Sequence, residues 1–309
     1  MENSSFFHQP VLVNDVLNHL IGDKQGVYID CTLGEGGHTK AILSRLGCEA
    51  KLIGFDQDKE IQEIAKERLK GFKQFIPIND NFIHMLSHLK ELGVTSVDGI
   101  FADLGISMFH YKKSLKGFSF YSEEPLDMTL NGSHPNVFDV VNKMSLNEIA
   151  QILKKYGQEK NYYRIASFII YYREHIKNIE STKELTMIIE RALGSLSFTQ
   201  NKKRSKKIHK ATKSFQAFRI FVNNELENLE ILLKEGFSCL KIGGRFAILT
   251  YHSLEDGIVK SFFEKNQNYI RIVTKKPIIA SQEEVAINSA SRSAKLRVYE
   301  KRYDDQTVS

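Results

Sequence analysis

The stretch VYIDCTLGEGGHTKAIL (Val27–Leu43), followed by KLIGFDQD (Lys51–Asp58), decides the fold. Val27–Leu33 is a short apolar run interrupted by Asp30, and the glycines Gly34, Gly36 and Gly37 close it before a segment of helical spacing from His38 to Leu46. A second short strand then ends in another acid, Asp56. Strand, glycine turn, helix, strand is the opening of a parallel α/β sheet. Glycines at such a turn let the backbone approach a ligand, and a helix start presents unpaired N–H groups to polar or anionic atoms. Asp56 follows Gly34 by 22 residues, where an acid accepts hydrogen bonds from ribose hydroxyls. Together these features predict a site for a nucleoside-containing cofactor.

Working outward, the alternation continues. Lys59–Lys70 reads as a helix, Gln74–Asn79 as a strand, Phe82–Leu92 as a helix and Val97–Gly105 as the fourth strand, with a leading helix over Pro10–Ile21. After Gly105 the rhythm stops until about Phe215. Ser145 with Glu148 and Ser181 with Glu184 fit capping boxes, so that block reads as all-helical. The pattern resumes with one helix over Phe215–Lys234, a strand over Arg245–His252 and a helix over Leu254–Lys265. The expected architecture is a Rossmann-like α/β sheet with an inserted all-α domain, bounded as 1–108 (sheet domain, first part), 109–212 (insertion) and 213–309 (sheet domain, second part).

At 309 residues, with 42% hydrophobic and 26% charged residues and five prolines, the composition excludes disordered and collagen-like chains. The net charge of +6 is uneven: seven Lys and Arg lie between Asn201 and Lys213 with no acid, and the remainder carries 36 bases against 37 acids. Cys31, Cys48 and Cys239 form no C-x-x-C pair and read as reduced thiols. No apolar run reaches membrane-helix length, and the N-terminus lacks the pattern of a secretory leader, so a cytoplasmic protein is expected.

The glycine turn also narrows the cofactor. A dinucleotide turn needs a small residue where G-E-G-G-H-T has Thr39, which favours S-adenosylmethionine, a donor without phosphates. The fourth strand ends in A-D-L-G, placing Asp103 at the carboxyl edge of the sheet, where ligands of open α/β sheets bind. There it can hold the donor or accept a hydrogen bond from an incoming exocyclic amine, and methyl transfer then rests on positioning and charge stabilisation. The late strand ends in T-Y-H-S-L-E-D: Ser253 reads as a helix N-cap with Asp256 at the third helical position, leaving His252 as a substrate contact. His84 and His88 lack the glutamate of H-E-x-x-H, so no metal is expected. Lys202, Lys203, Arg204, Lys206 and Lys207, with Arg219 on the following helix, read as phosphate contacts, and so does a second basic excess from Arg292 to Arg302. The aromatics of KGFSFY (Lys116–Tyr121) are candidate base-stacking surfaces.

The segments F-x-H-x-P-V-L (Phe6–Leu12), DCTLGEGGHT, FDQD, DGIFADLGIS, KGFSF with PLDM, SFQAFRIFVNNEL, GGRFAILTYHSLED and SRSAKLRVYEK resemble, in order and spacing, the RsmH (MraW) family from about Phe6 to Lys301. The resemblance implies a class I methyltransferase that uses S-adenosylmethionine to modify the N4 amine of a decoding-centre (P-site) cytidine in 16S rRNA of the small ribosomal subunit. It places the donor at Gly36, Gly37, His38, Asp56, Phe82 and Asp103, with Asp103 as the catalytic residue. His110 stands at a further donor contact where the family has glutamine. Other departures are Thr129, Lys210, Lys213, Gly257 and Ser289-Ala290, mostly in RNA-facing parts. The oligomeric state is open, a homodimer being the candidate. Two alternatives stay in view: a DNA or nucleoside amino-methyltransferase, disfavoured by the missing D/N/S-P-P-Y/F after the fourth strand, and a non-catalytic ribosome-assembly factor, disfavoured by the intact Gly36, Gly37, Asp56 and Asp103.

Overall fold

The structure is a computed structural model, and it describes residues 9–112, 114–120, 123–194 and 209–303. Two compact units form. One joins the chain up to Ser107 with the chain from Leu226 onward, and the other comprises Met108–Glu225.

The first unit is built on α1 (Val13–Leu20), β1 (Val27–Asp30), α2 (Gly37–Leu43), β2 (Lys51–Phe55), α3 (Lys59–Leu69), β3 (Phe75–Ile78), α4 (Met85–Glu91) and β4 (Val97–Asp103). Strands β1 to β4 pair in parallel in the order β3-β2-β1-β4. The apolar runs serve both faces of the sheet: Ile29, Ile53, Phe55 and Ile100 enter one core, whereas Tyr28, Leu52 and Phe101 enter the other. A strand buried on both faces reads as a continuous apolar run, which is why these strands were legible. Gly99 on β4 lies under the Tyr28 ring, where an added Cβ would come within 2.7 Å of two ring carbons.

In the second unit the order continues with α5 (Met108–Lys112), α6 (Val137–Lys143), α7 (Leu146–Gly157), α8 (Tyr162–His175), α9 (Thr182–Ala192) and α10 (Thr212–Val222). Both expected capping boxes form, Ser145 with Glu148 and Ser181 with Glu184. Gly157 ends α7 against α10: a Cβ there would sit 2.7 Å from the Lys213 carbonyl oxygen. This close approach ties α10 to the helical unit, so the chain leaves that unit at Glu225 and not at residue 212 as expected. The single helix expected over Phe215–Lys234 is also two. Asn224 takes a left-handed φ of 50°, and the Asn223 side chain donates to the Met128 and Arg219 carbonyls, breaking the run.

The rest of the first unit is α11 (Glu225–Cys239), β5 (Leu240–Thr250), α12 (Ser253–Lys265), β6 (Ile270–Ile272), β7 (Ile278–Ile279), α13 (Gln282–Ile287) and β8 (Lys295–Lys301). Strand β5 pairs in parallel with β4, while β8 runs antiparallel to β5 and carries β6 and β7. The sheet is the Rossmann-like α/β arrangement expected. β5 begins at Leu240, earlier than anticipated, with Gly243 at a φ of 80° where the register to β4 shifts. Among the described residues no helix is long and apolar enough to cross a membrane.

Candidate active site

The carboxyl ends of β1, β2 and β4 bring Asp30, Asp56 and Asp103 to one edge of the sheet. Asp30 is structural. Its carboxylate accepts from Thr39 Oγ1 at 2.5 Å and from the Thr32 N–H at 3.1 Å, and burial pushes its carboxyl above the ordinary range despite the Thr39 hydrogen bond. Thr39, the residue that departs from the dinucleotide pattern, thus joins helix to strand through a polar bond.

Asp56 accepts the Gly34 N–H at 2.9 Å and the Asp58 N–H at 2.9 Å. The helix cap of α3 is Asp58, whose side chain takes the Glu60 and Ile61 N–H groups, so Asp56 is not held there as a cap. A carboxylate oxygen can accept more than one hydrogen bond, and a carboxylate pinned by two backbone donors suits a ribose diol. Gly36 caps α2 at a φ of 74°, and a Cβ on it would stand 3.0 Å from Leu69. Arg68 from the same helix donates to the Glu35 carbonyl at 3.0 Å, so α3 supports the glycine turn from below. Phe82 opens a short 3-10 turn after β3 and packs half-buried against the core.

Around Asp103 three groups converge. Its backbone N–H donates to Thr32 Oγ1 at 2.6 Å, Tyr251 donates its hydroxyl to Oδ1 at 2.7 Å, and His38 Nδ1 stands 3.5 Å from Oδ2. His38 is buried and lies on the Phe101 ring, centroids 4.6 Å apart. Its Nε2 meets the Val11 carbonyl at 2.8 Å. A carbonyl only accepts, so Nε2 carries a proton, and Nδ1 is the ring nitrogen turned toward Asp103. Burial and then the Asp103 charge push the Tyr251 phenol well above its ordinary value, keeping it a donor.

Several sequence expectations are corrected. His252, expected to contact substrate, is itself the N-cap of α12: its ring accepts the Glu255 N–H, and the buried Glu255 carboxylate reaches back to the Tyr251 and His252 N–H groups at 2.8 and 3.3 Å. Ser253 and Asp256 therefore do not cap; Asp256 binds Lys295 at 2.9 Å and Arg297 at 2.7 Å. Those two bases, read as phosphate contacts, are thereby paired with an acid of the same unit, Arg297 buried and Lys295 partly exposed, and Lys301 is buried with its Nζ on the Ser238 carbonyl. Arg219 makes a two-point pair with Glu225, at 2.7 and 2.9 Å, across the α10–α11 break, an internal clamp in place of the expected open phosphate grip. In the helical unit His110 is buried against Phe109 and Phe118. Phe118 is buried and Phe120 stacks on His209 at 4.5 Å, so these expected base platforms pack internally. Lys202, Lys203, Arg204, Lys206, Lys207 and Tyr121 lie outside the described residues. His84 and His88 both hydrogen-bond to Asp80, at 3.0 and 2.8 Å. Sequence reasoning passed over Tyr251 and Thr32, the residues that hold Asp103.

The chain matches the MraW methylase family over residues 5–302. It belongs to that family. This methylase is 41% identical over 314 residues to the ribosomal RNA small subunit methyltransferase H of Clostridium botulinum (strain Kyoto / Type A2), covering 96% of this chain and 99% of that protein. It is 43% identical to the protein of the same name from Petrotoga mobilis, over 94% of this chain and 99% of that one. Among solved structures, a putative rRNA methylase from Clostridium thermocellum aligns over 97% of this chain and 100% of its own, at 11% identity and a TM-score of 0.47.

Proposed function

We propose that this methylase uses S-adenosylmethionine to methylate the N4 amine of a decoding-centre (P-site) cytidine in 16S rRNA of the small ribosomal subunit, acting in the cytoplasm. The observation that carries the reading is the Asp103 carboxylate at the sheet edge, held by Tyr251 and faced by His38, on the same edge as Asp56. The names of the relatives support the small-subunit rRNA substrate.

The residues fit the donor. Gly36 at positive φ, against α3, gives a backbone cradle that a side chain would crowd, and Asp56 is the acceptor for the ribose. Gly37, His38 and Phe82 complete the donor side; His110 is retained as a contact only on the family resemblance. The bound donor supplies an electrophilic methyl group on a sulfonium.

The exocyclic amine of cytosine is a weak nucleophile because its lone pair is delocalised into the ring. The protein's part is to aim that lone pair and to offset the positive charge that grows on nitrogen. Asp103 does both: it accepts a hydrogen bond from the amine and receives the proton released after transfer. His38, its Nε2 on the Val11 carbonyl, turns Nδ1 toward Oδ2 of the same carboxylate. Tyr251 and Thr32 position the carboxylate.

The helical domain is assigned to substrate recognition, and the basic run Lys202, Lys203, Arg204, Lys206 and Lys207 to RNA phosphates. The protein acts as a monomer or homodimer, which sedimentation decides. The test of the activity is to incubate the protein with labelled donor and small subunits lacking the modification, then map the modified nucleotide. Label on N4 of one decoding-centre cytidine is expected and is lost in Asp103→Ala; label elsewhere, or full turnover in that variant, overturns the assignment.

A further inference from the structure

The helical unit carries an exposed aromatic stripe that has no part in the reading above. Along α8, Arg164, Phe168, Tyr171 and His175 follow an i, i+4, i+7, i+11 spacing and share one face. Ile165, Ala166 and Ile169 on the opposite face are fully buried, whereas Phe168 and Tyr171 remain 37% and 59% exposed. The exposed rings are paired with cationic or titratable groups. The Arg164 guanidinium lies 5.9 Å from the Phe168 centroid, and His175 stacks on Tyr171 at 4.6 Å with planes 17° apart. Eleven residues of helix separate the ends of this stripe, roughly 16 Å.

Charge says what such a surface meets. The positions of the stripe itself hold the cation Arg164 and no acid. Lys160 lies one turn before Arg164 and is exposed. A self-complementary contact with a second copy would set this basic face against itself. A polyanion with flat apolar faces fits both features, and unpaired RNA offers stackable bases that a duplex keeps hidden.

We propose that the stripe of Arg164, Phe168, Tyr171 and His175 is a stacking platform for unpaired bases of the RNA substrate, with Lys160 and Arg164 on adjacent phosphates. This rests on the rRNA substrate proposed above and adds the surface that grips it.

The test is fluorescence anisotropy with a labelled unstructured ten-nucleotide RNA and a duplex of the same length, using the full chain. A stacked base is worth about 1–3 kcal/mol, so Phe168→Ala and Tyr171→Ala should each weaken single-strand binding about tenfold. The double variant should lose far more and Tyr171→Phe should stay near wild type, with melting temperature and donor affinity unchanged. Lys160→Gln should lower the salt slope by about 0.7, as expected for one phosphate contact. Affinity of Tyr171→Ala within twofold of wild type overturns the proposal, as does equal loss on duplex and single strand. If Tyr171→Ala instead dissociates a wild-type dimer with RNA affinity intact, the face belongs to a second copy and the proposal falls. Should Phe168→Ala unfold, the more exposed Tyr171 carries the test alone. A wild-type protein that binds the oligomer through the stripe but leaves small subunits unmethylated refutes the activity, not the platform.

Discussion

Tyr251→Phe is the most informative single change, because it removes one hydroxyl and keeps the ring. In the folded protein that hydroxyl stands 2.7 Å from Asp103 Oδ1, in surroundings that keep the phenol protonated. A hydrogen bond to a charged group contributes about 1.5–3 kcal/mol. Neither Thr32, which receives the Asp103 backbone N–H, nor His38, whose Nδ1 stands 3.5 Å from Oδ2, supplies a hydroxyl to Oδ1. Without the Tyr251 hydroxyl the carboxylate loses the bond that fixes Oδ1, and the hydrogen bond that aims the amine weakens when it is needed. If the full bond energy is felt in the transition state, turnover falls by about 10- to 150-fold. The assay is single-turnover transfer of labelled methyl to small subunits, with donor affinity measured separately by calorimetry. Because the glycine turn and Asp56 are untouched, donor affinity should change far less than the rate. A rate within twofold of wild type, in a variant of unchanged melting temperature, would refute the argument that Tyr251 positions Asp103.

Other outcomes follow from the same geometry. Burial alone would raise the Asp256 carboxyl, but hydrogen bonds from Arg297 and Lys295 outweigh it and hold the group below its ordinary value. Such a carboxylate stabilises the fold above its unfolded pKa and loses that contribution as pH falls through the folded value. Asp256→Asn should therefore cost about 2 kcal/mol at neutral pH, with the gap to wild type closing below about pH 4; denaturation at both pH values checks this, and a gap undiminished at pH 3 counts against it. Gly117 has a φ of 79°, and a Cβ there would lie 2.2 Å from the Pro125 carbonyl oxygen, so Gly117→Ala should destabilise by about 3 kcal/mol or more. An unchanged chemical-denaturation midpoint would contradict that. Gly36→Ala, strained at φ 74° and crowded by Leu69, should weaken donor binding about tenfold; calorimetry showing wild-type affinity would remove Gly36 from the cradle.

In the parallel half of the sheet, β1, β2 and β4 were legible because they are buried on both faces and end at or beside an acid. The antiparallel end was not, for a reason visible in K-L-R-V-Y-E-K. Leu296 and Val298 alternate into one core, while Lys295 and Arg297 between them meet Asp256. The period-2 alternation of a strand is present there, but tallying the bases as a charge excess hid it. A charge count records residue types and not partners. Arg219 shows the same effect, since its partner Glu225 lies beyond a helix break that only the local conformation at Asn224 creates.

At the active site, a displacement of one residue accounts for two corrections together. Ser253 and Asp256 have the residue types of a cap, and so do His252 and Glu255, because an imidazole nitrogen accepts an N–H as a hydroxyl does. The second register wins, and Glu255 shows how: from a buried position it takes both the Tyr251 and His252 N–H groups, which the first register would leave without that acceptor. Once His252 is the cap, Asp256 is available to the bases of β8, and β5 ends at Thr250 so that Tyr251 leaves the strand with its hydroxyl on Asp103. The carboxylates at the strand ends were readable because backbone topology alone places them. The groups that orient Asp103 depend on which of two near-equivalent caps closes the α12 N-terminus, a choice made by the burial of one glutamate. The same choice that makes His252 a structural residue therefore makes Tyr251 a positioning one.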